Sequence, residues 1–156
     1  MSNRRRAAAL GAVSLGLIAL SACEKPTPLA TVTVGDRTVT TEATSKCYLD
    51  GKKLTEQAFL ACLQGKPEKT ITVRPGDKVR IGVDPAIAEK GWVVAAGTSG
   101  KSGLLKDTTY RSFDAESLLV DTQTGAAAGE VTLNIIETGG GQDYLGVWQF
   151  KLKSAG

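Results

Sequence analysis

Three cysteines, the absence of histidine and a scatter of loop carboxylates bound the chemistry open to this chain. Cys23 ends a basic and then apolar leader, where a thiolate can serve as a nucleophile. Cys47 and Cys62 stand fifteen positions apart, far from the Cys-x-x-Cys spacing of a redox motif. Without histidine there is no Ser-His-Asp or Cys-His pair, and no His-rich zinc, haem or blue-copper site. A general base near neutral pH would have to be a perturbed carboxylate or lysine. Asp84, Glu89, Asp114, Glu116 and Asp143 fall in or beside expected loops, where paired carboxylates could act as acid and base or hold calcium. No calcium-loop spacing is present, so solvated charge is their expected role. No catalytic residue, metal or cofactor is assigned.

The leader is tripartite. Asn3-Arg4-Arg5-Arg6 is cationic, Ala7 to Leu20 is fourteen residues without charge, and small residues precede Cys23. The apolar run is shorter than the roughly 17–25 residues of a spanning helix. Leu20-Ser21-Ala22-Cys23 resembles the lipobox of bacterial lipoproteins. That resemblance implies diacylglycerol on the Cys23 thiol and cleavage after Ala22. It implies a protein held on the extracytoplasmic face of the cell membrane through lipid on Cys23. Two acyl chains suffice for stable anchoring where one does not. The expected organisation is a signal over 1–22, a tether over 23–29 carrying Pro26 and Pro28, and one domain over 30–156.

Loss of the leader changes the charge balance. Removing Arg4, Arg5 and Arg6 from 19 basic residues leaves 16, equal to the 16 acidic ones. A neutral domain with interspersed charges carries no footprint for nucleic acid. In an oxidising compartment, Cys47 and Cys62 read as a structural disulfide, with free thiols or a labile switch as the alternatives.

Ala95-Ala96-Gly97-Thr98-Ser99-Gly100-Lys101-Ser102 fits a permissive phosphate-loop pattern, with Ala in place of the first Gly. A phosphate loop needs a helix whose N-terminus faces the phosphates, and Gly103 with Asp107-Thr108-Thr109 leaves no room for one. Nucleotide binding is therefore not expected. Trp92, Tyr110, Tyr144 and Trp148 could line a cleft. The tryptophans read as core, and Tyr144, following a glycine loop, as the more exposed.

These residues must be positioned largely by strands. Thr31 to Val34 and Arg37 to Glu42 alternate around Gly35-Asp36, a hairpin signal. Asp50-Gly51 is a second hairpin-type dipeptide. Thr55 can cap a helix over about 56–64, with Ala58, Phe59, Cys62 and Leu63 on one face and Cys62 turned towards Cys47. Thr70 to Arg74 and Lys78 to Val83 alternate around Pro75-Gly76, a type II turn pair. Ala86 to Lys90 reads as a loop or a single helical turn, and Gly91 to Ala96 as a strand. Gly97 to Gly103 reads as a loop. Thr108 to Phe113, Glu116 to Val120, Val131 to Ile136 and Tyr144 to Leu152 read as strands. The expected architecture is all-β: an antiparallel Ig-like β-sandwich with at most one short helix. Its core would hold Val73, Val79, Ile81, Trp92, Val94, Leu133, Ile135, Trp148 and Phe150.

Gly82-Val83-Asp84-Pro85, then Gly91-Trp92, and the late Gly146-Val147-Trp148-Gln149-Phe150-Lys151-Leu152 resemble a group of small actinobacterial lipoproteins of undefined activity. The order from Gly76-Asp77-Lys78 to Val83, a loop, and Gly91-Trp92 is also similar to chagasin-type inhibitors of papain-like proteases. Those are Ig-like sandwiches that insert loops into a protease cleft. Here Asp84-Pro85-Ala86-Ile87-Ala88 replaces their Asn-Pro-Thr-Thr-Gly loop, and their Arg-Pro-Trp loop is missing. The leading expectation is a non-enzymatic envelope lipoprotein that binds a protein, glycan or small ligand. The candidate binding loops carry Asp84, Glu89, Trp92, Asp143 and Tyr144. A protease inhibitor and a carboxylate-based glycan enzyme are the alternatives.

Overall fold

The computed structural model describes residues 26–44, 46–121 and 124–155. Leu20, Ser21, Ala22 and Cys23, the lipobox positions, lie outside the described residues. The described chain forms a two-sheet β-sandwich. Its first sheet contains β1 (Leu29–Val34), β2 (Arg37–Glu42), β4 (Lys78–Val83) and β7 (Tyr110–Asp114), in the order β2-β1-β4-β7. The second contains β3 (Thr70–Val73), β5 (Trp92–Ala96), β6 (Ser99–Gly100), β8 (Glu130–Thr138) and β9 (Tyr144–Ser154), in the order β3-β9-β8-β5-β6.

Local turn chemistry sets much of this. Gly35, at φ 60°, joins β1 to β2 through a two-residue connection. Gly76 takes φ 86°, and Asp77 N–H donates to Arg74 O, as the type II turn requires. All nine side chains expected in the core are buried between the sheets. The pairs are antiparallel except one. β3 runs parallel to β9, with Ile71 opposite Leu152, because the chain crosses between sheets before and after β3.

Three short helices occur among the described residues, where at most one was expected. α1 (Glu56–Leu63) is the expected one, and Thr55 Oγ1 accepts from Ala58 N–H as its cap. It lies over the outer face of the second sheet, burying Phe59 and Cys62 against Ile136 and Val147. The Cys47–Cys62 disulfide ties it to the preceding loop. α2 (Pro85–Lys90) stands where a loop or single turn was expected. Pro85 opens it, Ile87 and Ala88 turn inward, and Gly91 at φ 98° ends it. α3 (Ala115–Leu119) replaces the expected strand at 116–120. Its buried residues, Ala115 and Leu118, have helical spacing, so the apolar pair Leu118-Leu119 was misassigned as strand.

Candidate functional site

Strand parity carries an unusual residue into the core. Leu133 and Ile135 of β8 face the interior, and Glu137, two positions on, follows them. Glu137 lies opposite Trp92 on β5 and Gly146 on β9, at the end of the inter-sheet core. The β8–β9 ladder is interrupted there by a bulge, with Leu145 the additional residue between Thr138 and Glu137 pairings. The Glu137 side chain is fully buried, and neither carboxylate oxygen completes a hydrogen bond with a described residue. Its recorded polar neighbour is Lys90, whose Nζ lies 3.3 Å from Oε1.

Two elements bring Lys90 and Tyr48 to this carboxylate. Lys90 is the last residue of α2 and sits just ahead of the left-handed Gly91. Gly91 O accepts from Thr138 N–H at 2.7 Å, so the end of α2 is fixed to β8 beside Glu137. The Asp50-Gly51 turn has both residues at positive φ, 52° and 76°, the requirement of a tight hairpin. Lys90 Nζ lies directly against Gly51, so a side chain there would push the ammonium aside. Tyr48 bridges to Gly146, whose missing side chain leaves room for the Tyr48 and Trp148 rings. Those rings lie 5.6 Å apart, tilted by 51°.

Burial pushes the Glu137 carboxyl above its ordinary pKa, and Lys90 pulls it partly back. The Tyr48 phenol is also raised, first by burial and then by the charge of Glu137. A buried carboxyl so displaced, next to a cleft, is a recognised mark of a functional site.

A cleft lies beside this group and meets it through Lys90, while Glu137 itself stays behind the cleft's lining. The cleft has a volume of about 1000 Å³, with Lys90 and Tyr48 in its lining and Pro26, Pro28, Ala43 and Ala86 as apolar walls. Its other charged lining residues are Glu42, Asp50 and Glu89. One wall is the N-terminal lead-in, which is fastened to the domain. Trp148 Nε1 donates to Pro28 O at 2.7 Å. Leu29 N–H donates to Asp84 Oδ2 at 2.7 Å, and Asp84 N–H donates to Leu29 O at 3.0 Å.

The candidate loop residues do not converge. Glu89 lines the cleft. Asp84 helps to hold the lead-in. Trp92 is a correction: it is fully buried core, and its Nε1 donates to Thr108 O at 2.6 Å. Strand alternation from Gly91 turns it inward rather than onto a loop. Asp143 pairs with Lys53 at the surface. Tyr144 is half-buried and stacked on Phe59, with ring centroids 3.7 Å apart. Asp114 pairs with Lys78, and Glu116 accepts from Gly76 N–H. In the phosphate-loop-like stretch, Lys101 Nζ donates to Val120 O, and Ser99–Gly100 is strand β6. Glu137, Lys90 and Tyr48 were not singled out by sequence reasoning. Continuing the alternation from Leu133 and Ile135 by one step would have flagged Glu137. Its meeting with Lys90 and Tyr48 depends on tertiary packing alone.

Among the described residues, no group of three or more Cys, Asp or Glu side chains is placed to hold a metal ion. No described helix is long and apolar enough to cross a membrane. No family model, curated protein or solved structure matches the chain.

Proposed function

We propose that the chain is an envelope lipoprotein, diacylated on Cys23, whose sandwich is a non-enzymatic binding domain. Its binding site is the cleft between the lead-in, Ala43, Tyr48 and Asp50, and α2. The observation that carries this reading is the buried, hydrogen-bond-deficient Glu137 beside a cleft at the end where the lead-in is pinned. Pro28 is only five residues from Cys23. At no more than about 3.6 Å per residue, Trp148 holds this end within ~18 Å of the lipidated sulfur. A ligand in the cleft would thus be held close to the membrane surface.

The two alternatives draw less support. Between Asp84 and Gly91 the chain forms helix α2 with Ile87 and Ala88 inward, not an extended loop of the kind a protease cleft admits. A two-carboxylate glycan hydrolase needs two carboxyls paired across the substrate, whereas Glu137 is paired with the Lys90 ammonium and Glu42, Asp50 and Glu89 line the outer cleft. The test is photo-crosslinking in intact cells, with benzoylphenylalanine at Ala86 in the cleft or at Ser112 on the exposed face of β7. A discrete adduct from Ala86 and none from Ser112 is expected. The absence of any adduct from Ala86, or equal labelling from both, would overturn the reading.

A further inference from the structure

The binding reading leaves the ligand's chemistry open, and the cleft narrows it. Glu137 is a carboxyl group taken out of water with both oxygens lacking hydrogen bonds among the described residues. Buried acceptors of that kind are rare, because each unmet bond costs free energy. The ammonium facing it is not sealed in. Lys90 is 38% exposed, so its flexible stem can swing the head into solvent while Glu137 stays in place. The outer cleft repeats the same polarity, since Glu42, Asp50 and Glu89 outnumber Lys90. That field repels anions and concentrates cations. The absence of a metal-binding cluster among the described residues favours an organic cation over a metal ion. Pro26, Pro28, Ala43 and Ala86 offer apolar wall to a methylene stem. The volume of about 1000 Å³ is ample for a small molecule.

We infer that the cleft binds an alkylammonium group, which displaces Lys90 and makes Glu137 its buried counter-charge. This rests on the cleft being a binding site. Lys90 then acts as an internal placeholder that keeps the carboxylate neutralised in the empty site. The same chemistry could come from a free diamine or from the lysyl side chain of a peptide, and the experiment separates these sources.

The full chain, purified from cells, is titrated by calorimetry and by amide chemical shifts. The probes are cadaverine, a blocked Gly-Lys-Gly peptide, neutral 1,5-pentanediol and anionic glutarate. Binding of one or both amines is expected, with shifts at Tyr48, Lys90 and Gly146, and no binding of the diol or glutarate. Cadaverine alone identifies a free amine as the source, and the peptide alone identifies a lysyl side chain. Glu137→Gln should weaken the amine at least tenfold. Lys90→Met, which removes the placeholder, should tighten it several-fold. Glu89→Gln, at an exposed position that does not threaten folding, should weaken it by a smaller factor. Equal amine affinity in the wild type and Glu137→Gln would overturn the inference. So would tighter binding of glutarate or diol than of amine, although the binding function would survive that result. Failure of every probe at millimolar concentration overturns the inference. The Ala86 crosslink then decides whether the binding function falls with it.

Discussion

Lys90 Nζ and Glu137 Oε1 meet at 3.3 Å across the end of the inter-sheet core, one partner partly exposed and the other fully buried. The asymmetry matters. Lys90 can recover water by moving, whereas Glu137 relies on Lys90 or on its own protonation to offset desolvation. The pair is therefore a poor staple for the fold.

The raised pKa of Glu137 gives a signed pH dependence. The folded chain keeps this proton over a range in which the unfolded chain, with an ordinary Glu value of about 4.3, has lost it. The stability it contributes is full below that unfolded value and is lost as pH rises through the folded one. Glu137→Gln should thus gain stability relative to the wild type as pH climbs from 4 to 8, measured by urea unfolding at each pH. A gap that is constant or shrinks over that range would contradict the burial account.

The Cys47–Cys62 bridge closes a loop of fifteen residues and ties α1 to the segment whose Cys47 O accepts from Val147 N–H of β9. Replacing both cysteines by serine should cost about 3 kcal/mol in the chain-entropy model. Unfolding of the wild type with and without reductant should show the same loss. A midpoint unmoved by reduction would mean that α1 packing alone holds this region.

Trp148→Phe leaves a smaller ring in the core and removes the donor to Pro28 O. The lost hydrogen bond should cost about 1 kcal/mol and the space left by the indole adds to it, with faster hydrogen exchange over residues 29–34. Unchanged exchange would show that Asp84 alone secures the lead-in, through Leu29.

Gly146→Ala puts a methyl group 2.7 Å from the Trp148 ring and 2.9 Å from Tyr48. Both rings must move, at a cost of roughly 1–3 kcal/mol. Near-UV circular dichroism should change together with the thermal midpoint. A silent substitution would show that the ring contact is looser than described.

Elements stabilised by local chemistry were legible in the sequence. The β1–β2 hairpin, the Pro75-Gly76 turn, the Thr55 cap and the meeting of Cys62 with Cys47 follow from alternation, turn residues and helical spacing. What depends on distant partners was not. The parallel β3–β9 pair joins segments about eighty residues apart. α3 was misread because a short apolar run has no distinguishing period. Exposed acids mark the candidate loops in the sequence, yet Asp84 and Asp143 are engaged elsewhere, and the buried acid lies one step past the expected end of its strand.

The anchor itself is tested most directly by mass spectrometry of the N-terminal peptide from the membrane-extracted chain. The expected result is a chain that begins at Cys23 and carries the added mass of diacylglycerol, and a Cys23→Ala chain that is released or left unprocessed. A mature-length chain that begins at an unmodified Cys23, or a Cys23→Ala chain retained and processed normally, would contradict it.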